Sequence, residues 1–188
     1  MPHGALTVGF NGGSTTFQVA RIFAQRIGVT VVTNSLSIAA ELAGSTTVSL
    51  RVTGGLSRPA SHQLLGPDLI RFLNRISLTV AVVGIDGISI ESGLTIGHRD
   101  EAVGTAAMMS RAERVIVVAD GTKVGRVAAA RVCGIAEIDE LVTDDSADQR
   151  VISDIERRGV RVSTEAARQG HDQNARMCNV DCTPSPHP

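Results

Sequence analysis

The sequence predicts an α/β protein with a three-layer, doubly wound, mostly parallel sheet. The first observation behind this prediction is that short β-branched runs alternate with amphipathic stretches along most of the chain. The second is that residues 80–83 and 115–118 are uninterrupted apolar runs, which is typical of parallel strands buried on both faces. Right-handed crossovers between such strands place helices on both faces of the sheet.

Seven strands and five helices follow from this alternation. The predicted strands span residues 6–10, 29–33, 47–52, 78–84, 115–119, 141–143 and 160–162. The predicted helices span residues 16–27, 35–43, 67–74, 100–111 and 148–158. Residues 1–164 are therefore predicted to form one domain. Beyond them the pattern gives way to polar residues and closely spaced prolines, so residues 165–188 are predicted to be a disordered tail.

Charge and hydropathy exclude several classes of function. The 188 residues have a net charge of −1, which leaves neither a broad basic surface for nucleic acid nor a polybasic patch for a membrane. No apolar stretch reaches the length of about 18 residues that spans a bilayer, and no secretory signal is recognisable at the N-terminus. We therefore expect a cytoplasmic protein with no membrane partner.

The cysteines predict neither a disulfide framework nor a metal site. Cys133, Cys178 and Cys182 are too few and too unevenly spaced for a set of disulfides. Cys178 and Cys182, taken with His171 and His187, match no standard zinc spacing and lie in the predicted tail. No metal and no cofactor is expected.

A candidate phosphate site follows the first predicted strand. A glycine pair between a strand and a helix lets the backbone turn tightly and directs several N–H groups to one spot, where the helix N-terminus favours an anion. Glycine and serine also fill ordinary turns, so this segment by itself is equally consistent with a turn. Its residues are Asn11, Gly12, Gly13, Ser14, Thr15 and Thr16.

Four further polar clusters follow predicted strands. Each has a structural explanation by itself, as a helix cap or a turn. Because the carboxyl ends of parallel strands meet at one edge of a sheet, the clusters together favour a ligand site there. The clusters are Thr33, Asn34 and Ser35; Thr53, Gly54 and Gly55; Asp86 and Gly87; and Asp120, Gly121, Thr122 and Lys123.

Lys123 is the single lysine of a chain that otherwise uses arginine. A compact ammonium group after a strand end is typical of a lysine that contacts a phosphate or carboxylate oxygen. The alternative is a substitution without a role.

The order of these motifs resembles the C-terminal effector domain of DeoR-type bacterial transcriptional regulators. The resemblance covers residues 5–163. It implies a fold similar to ribose-5-phosphate isomerase and glucosamine-6-phosphate deaminase, and a domain that senses a phosphorylated sugar or related metabolite. The motifs are Asn-Gly-Gly-Ser-Thr-Thr (11–16), Thr-Asn-Ser (33–35), Thr-Gly-Gly (53–55), Gly-Pro (66–67), Gly-Ile-Asp-Gly-Ile (84–88), Gly-Leu-Thr (93–95), Glu-Ala (101–102), Ala-Asp-Gly-Thr-Lys-Val-Gly (119–125) and Thr-Asp (143–144).

The resemblance also implies partners that this chain does not supply by itself. In the family, ligand binding alters operator binding by an N-terminal helix-turn-helix domain, most often relieving repression. This sequence begins almost at its first predicted strand, so we expect DNA binding only through an N-terminal domain absent from this chain. The family resemblance further implies a homo-oligomer.

Two positions depart from the family pattern. Asparagine stands at position 11, where the family usually has aspartate, and Thr105 stands where the family often has lysine. Positive charge at the site is therefore expected to rest on Lys123 and on nearby arginines such as Arg58 and Arg99.

The resulting hypothesis assigns a role to each group. Residues 12–16 and the helix that follows would hold the phosphate, supported by Ser35 and Lys123, while Asp86 and Glu101 would accept sugar hydroxyls. Two carboxylates and a lysine also suit acid–base catalysis, so an isomerase or deaminase-like enzyme is the alternative, and an oligomerisation domain without a ligand is a third. Sugar-phosphate isomerases of this fold have a lysine soon after the Asp-Gly loop, and residues 88–98 contain none. The sequence therefore predicts a sensor without catalytic residues.

Overall fold

The computed structural model describes residues 6–166. Glu165, the first residue of the predicted tail, is the last residue of the final strand, so that strand extends one residue past the predicted domain boundary. Residues 167–188 of that predicted tail lie outside the described residues. The same is true of Cys178, Cys182, His171 and His187.

Twelve strands and five α-helices make up the described chain. In chain order they are β1 (Thr7–Phe10), α1 (Ser14–Phe23), β2 (Val29–Thr33), α2 (Leu36–Leu42), β3 (Val48–Val52), β4 (Leu56–Arg58), β5 (Gln63–Leu65), α3 (Pro67–Leu73), β6 (Leu78–Gly84), β7 (Gly87–Ser89), β8 (Gly93–Ile96), α4 (Arg99–Met109), β9 (Ala112–Val118), β10 (Ala130–Cys133), β11 (Glu140–Asp144), α5 (Gln149–Glu156) and β12 (Arg161–Glu165). No helix among residues 6–166 combines the length and hydropathy needed to cross a bilayer.

Seven of the strands form one sheet in the order β12-β11-β9-β6-β1-β2-β3, and every pair of neighbours is parallel. From β1, the strands β2 and β3 follow towards one edge of the sheet. From β6, the strands β9, β11 and β12 follow towards the other edge, so the strand order reverses between β1 and β6. In sheets of this kind, ligands bind beyond the carboxyl ends of the strands at such a reversal. The fold therefore places the end of β1 and the end of β6 beside each other at the expected site.

The sheet has a separate apolar core on each face. Alternate residues of a strand point to opposite faces, so Val80 and Val82 of β6 pack towards α1 and α2, whereas Ala81 and Val83 pack towards α3, α4 and α5. On the first face the rings of Phe10 and Phe23 meet edge to face at 5.7 Å. Helices on both faces of a parallel sheet confirm the predicted three-layer α/β fold.

All seven predicted strands are present, and the helix boundaries differ most at α1. This helix begins at Ser14 and ends at Phe23, whereas the sequence pattern predicted residues 16–27. The backbone N–H groups of Gln25 and Arg26 bond three residues back rather than four, so the chain tightens after Phe23. Ile27, which extended the apolar pattern of the predicted helix, is 89% exposed.

Five short strands were not predicted. β4 and β5 form an antiparallel hairpin, and β7, β8 and β10 form a small antiparallel sheet. Each has three or four residues, too few to show a period in the sequence. The hairpin follows β3, β7 and β8 follow β6, and β10 follows β9, so all five strands lie on connections that leave the carboxyl edge of the large sheet.

Candidate functional site

A cavity of about 190 Å³ lies where the strand order reverses. It is smaller than the sites of about 300–1,000 Å³ that hold drug-sized ligands, which suits a small metabolite. Nine predicted site residues line it: Asn11, Gly12, Gly13, Ser14, Thr15, Thr16, Asp86, Glu101 and Lys123. The other lining residues are Gln63, Gly84, Ile85, Ile96, Val118, Ala119 and Asp120.

The N-terminus of α1 contributes backbone donors to this cavity. Gly13 is the N-cap with φ 152°, a conformation that favours glycine, and no side chain caps the helix. The Thr16 hydroxyl donates to the Gly13 carbonyl at 3.0 Å. First-turn amides have no acceptor within a helix, so those of Ser14 and Thr15 remain available at the end where the helix dipole favours an anion.

Asn11 connects three elements below the cavity. Its Nδ2 donates to the Gly84 carbonyl at 2.9 Å and to the Thr105 hydroxyl at 3.2 Å, and its Oδ1 accepts from the Gly84 amide at 2.8 Å. The residue is only 2% exposed. Both amide hydrogens are therefore used inside the protein, and Asn11 holds β1 against β6 and α4. The two departures from the family pattern, at positions 11 and 105, are in direct contact.

Two carboxylates of the cavity, those of Asp86 and Glu101, contact other groups of the protein. Asp86 Oδ2 accepts from the Gly97 amide at 2.7 Å. Glu101 Oε1 lies 3.0 Å from Arg58 Nη1, in ion-pair contact, although the two groups are not aligned as a hydrogen bond. Of the two arginines predicted to supply positive charge at the site, Arg58 contacts Glu101 at the cavity. Arg99 is exposed at the start of α4 and does not line the cavity.

Lys123 reaches the cavity from a short 3-10 turn, Gly121–Lys123, that follows β9. Two bonds fix this segment: the Gly121 amide donates to Asp144 Oδ2 at 3.1 Å, and the Gly125 amide donates to the Ile88 carbonyl at 2.8 Å. Among residues 6–166 the ammonium group of Lys123 has no ion-pair partner. Its charge is therefore available to a ligand.

Asp144 remains charged at neutral pH and so holds this turn in place. Burial by itself would raise the pKa of Asp144, but hydrogen bonds from the Ser146 hydroxyl and from the Gly121 and Ser146 amides outweigh it. The pKa therefore lies below its usual value. A lowered carboxyl pKa stabilises the fold above the unfolded-state value of about 3.9, and this contribution is lost as the pH falls through the folded-state pKa.

Six predicted residues do not line the cavity: Thr33, Asn34, Ser35, Gly54, Gly55 and Gly87. The structure gives several of them bonds or close approaches within the protein. Ser35 caps α2 by accepting from the Ile38 amide at 3.3 Å, and the Thr33 hydroxyl donates to the Phe10 carbonyl at 2.8 Å. A Cβ at Gly55 would lie 2.5 Å from the Leu65 carbonyl oxygen, and one at Gly87 equally close to that of Arg126.

Gln63 is the polar lining residue that sequence reasoning missed altogether. It lies in β5, whose three residues give no periodic signal, so nothing in the sequence brings it to the carboxyl edge. Asp120 belongs to the predicted polar cluster that ends at Lys123, although it is not one of the predicted ligand contacts. Its Oδ1 accepts from the amide of Thr122 at 3.1 Å and from the Thr122 hydroxyl.

Cys133 is a packing residue. Burial, with a smaller contribution from Glu137, raises the pKa of its thiol to about 12, so the reactive thiolate is scarce at neutral pH. Between residues 6 and 166, no group of three or more His, Cys, Asp or Glu side chains is placed to hold a metal ion.

Known proteins resemble this chain in sequence. The HTH-type transcriptional regulator GlpR of Haloferax volcanii is 34% identical over 85% of this chain, and the HTH-type transcriptional repressor GlcR of Bacillus subtilis is 30% identical over 85%. A putative aga operon transcriptional repressor of Escherichia coli O157:H7 is 29% identical over 81%. The chain spans only 62%, 61% and 56% of these three relatives, respectively.

The chain also resembles a solved structure and matches a family of sensor domains. Ribose 5-phosphate isomerase from Plasmodium falciparum aligns with a TM-score of 0.45 and 16% identity, over 65% of this chain and 46% of that one. The family described as the DeoR C terminal sensor domain matches residues 4–145. Since this match covers most of the sequence, the chain belongs to the DeoR family of C-terminal sensor domains.

Proposed function

We propose that the cavity between β1 and β6 binds a phosphorylated sugar or a closely related metabolite. The observation that carries the proposal is that the uncapped N-terminus of α1 and the unpaired ammonium group of Lys123 line the same small cavity. Backbone amides at a helix N-terminus and a lysine both stabilise a phosphate, one through directed hydrogen bonds and the other as a point charge.

The carboxylates of Asp86 and Glu101 would hold the sugar. Both line the cavity, and an ionised carboxylate only accepts hydrogen bonds, which suits the hydroxyl groups of a sugar. Gly97 and Arg58 fix the two side chains before a ligand arrives. The cavity thus combines donors for a phosphate with acceptors for hydroxyls.

We further propose that ligand binding controls DNA binding by a helix-turn-helix segment of the full regulator. The proposed effect of the ligand is to relieve repression. The names of the relatives support this role, since they are described as HTH-type regulators and repressors, and their sequences extend well beyond the part matched here. Such a regulator would act in the cytoplasm as a homo-oligomer. We propose that it senses its ligand without converting it.

An isomerase or deaminase-like enzyme is the second candidate. Lys123, Asp86 and Glu101 line one cavity, and two carboxyl groups beside an ammonium group are residue types that acid–base catalysis uses. The ion-pair contact of Glu101 with Arg58 favours a fixed acceptor over a mobile base.

Thermal unfolding with a panel of ligands separates these functions. Ribose 5-phosphate, glucose 6-phosphate and glucosamine 6-phosphate are compared with their unphosphorylated parents, since a ligand that binds the native state raises the Tm. At a concentration of 100 Kd the native state gains about 2.7 kcal/mol, which is readily measured. We expect a rise with at least one phosphorylated compound, a smaller rise with its parent, and no product. Turnover would favour the enzyme, and no response to any phosphorylated compound would contradict the proposal.

A further inference from the structure

Gln63 reaches the cavity from the β4–β5 hairpin, an element separate from both the α1 N-terminus and the Lys123 turn. It lies directly opposite Arg58 in the hairpin, so the two side chains project from the same face. Gln63 is 4% exposed and lines the cavity. The hairpin therefore presents a carboxamide and a guanidinium group beside the candidate site.

The orientation of the Gln63 carboxamide is fixed by its oxygen. Oε1 accepts from the Gly12 amide at 3.3 Å and from Asn34 Nδ2 at 3.1 Å. Gly12 permits this close approach, because a Cβ there would lie 2.5 Å from Gln63 Cγ. With both donors directed at Oε1, the other end of the carboxamide must carry its two N–H groups elsewhere.

Those N–H groups have no acceptor in the described part of the chain. Nε2 makes no hydrogen bond to any of residues 6–166. It is also not one of the fully buried polar atoms that lack a partner in this part of the chain, so it remains accessible from the cavity. A carboxamide whose oxygen is held and whose nitrogen is accessible at a cavity wall is a ready donor to a ligand oxygen. It adds no charge of its own.

We propose that Gln63 is a specificity-determining residue that donates from Nε2 to a phosphoryl oxygen of the bound metabolite. The inference rests on the proposed function. A phosphoryl oxygen is favoured over a sugar hydroxyl because Gln63 is bonded to Gly12, which immediately precedes the N-cap of α1. At this point of the cavity, Gln63 then favours a ligand group that accepts a hydrogen bond. It disfavours a ligand group that can only donate one.

Gln63→Glu tests this assignment, because it keeps an oxygen for Gly12 and Asn34 but replaces the donor with a negatively charged acceptor. Wild type and variant are titrated calorimetrically with ribose 5-phosphate, glucose 6-phosphate, glucosamine 6-phosphate and their parents. For whichever phosphorylated sugar the wild type binds, we expect the affinity of Gln63→Glu to be about ten-fold lower or more. The affinity for the unphosphorylated parent should change little. Gln25→Glu makes the same charge change at an exposed position and should leave both affinities unchanged.

A measurement on the wild-type protein keeps the inference testable if the variant is unstable. Binding of the phosphorylated sugar should shift the NMR signals of the Gln63 side-chain amide and leave those of Gln25 in place. An unmoved Gln63 signal, or equal affinities of wild type and Gln63→Glu, would overturn this inference alone. Wild-type protein that binds no phosphorylated sugar would overturn the proposed function as well.

Discussion

Replacing Asn11 by aspartate is expected to lower the free energy of unfolding by about 3 kcal/mol. Asn11 donates two hydrogen bonds from a site that is 2% exposed, to the Gly84 carbonyl and to the Thr105 hydroxyl. A carboxylate oxygen in place of Nδ2 would face the Gly84 carbonyl oxygen with no proton between them. Neither hydrogen-bond partner of this side chain, the Gly84 backbone or Thr105, carries a charge that would compensate the carboxylate. Urea unfolding of wild type and variant measures the loss.

A second substitution tests whether positions 11 and 105 act as a pair. Thr105→Lys by itself would place a buried ammonium group against the Nδ2 of Asn11, whereas with Asn11→Asp it would meet a carboxylate. We expect the double variant to be more stable than the sum of the single changes predicts, with a coupling energy of about 1–3 kcal/mol. Asn74→Asp, at an exposed position at the C-terminus of α3, is the matched control and should lower stability by about 1 kcal/mol or less, through the helix dipole. Additive effects at 11 and 105 would show that the pair is not coupled.

Replacing Lys123 by alanine is expected to weaken the binding of a phosphorylated sugar by about 10- to 100-fold. The ammonium group lines the cavity without an ion-pair partner in the described chain, so its loss would remove the charge-assisted hydrogen bond that we propose it makes to the phosphate. The unphosphorylated parent lacks that contact and should lose little affinity. Calorimetric titration of both ligands measures the difference.

The control for this experiment comes from the same connection. Arg126 follows Lys123 by three residues, is exposed and does not line the cavity, so Arg126→Ala removes the same charge from the surface. It should leave both affinities close to wild type. Equal losses for the phosphorylated sugar and its parent in Lys123→Ala would remove Lys123 from the phosphate site.

The fold was predictable because its signals are long and repeated. Strands such as β6 are buried on both faces, and their apolar runs stand out from the amphipathic helices between them. The carboxyl edge was predictable for the same reason, since parallel strands all end on one side. The order of the strands, and with it the contact between β1 and β6, needed the structure.

The site was only partly predictable, because a sequence pattern does not reveal which polar groups are already bonded. Asn34 follows a strand as a ligand contact would, yet its Nδ2 donates to Gln63 and to the Leu64 carbonyl. Gln63 gave no signal, because the hairpin that holds it is too short to show a pattern. Asn11 and Thr105 are 94 residues apart, so their hydrogen bond could not be inferred from local spacing.

The most direct test of the central claim is to map the bound ligand on the amide groups of the uniformly ¹⁵N-labelled protein. Titration with the phosphorylated sugar that raises the Tm most should shift the amide signals of Gly13, Ser14, Thr15 and Thr16 most strongly, followed by those around Lys123. One competing location is a cavity at the opposite end of α1, lined by residues that include Arg21, Glu41 and Ser45. Shifts concentrated there, with the signals of residues 13–16 unmoved, would contradict a phosphate site at the N-terminus of α1.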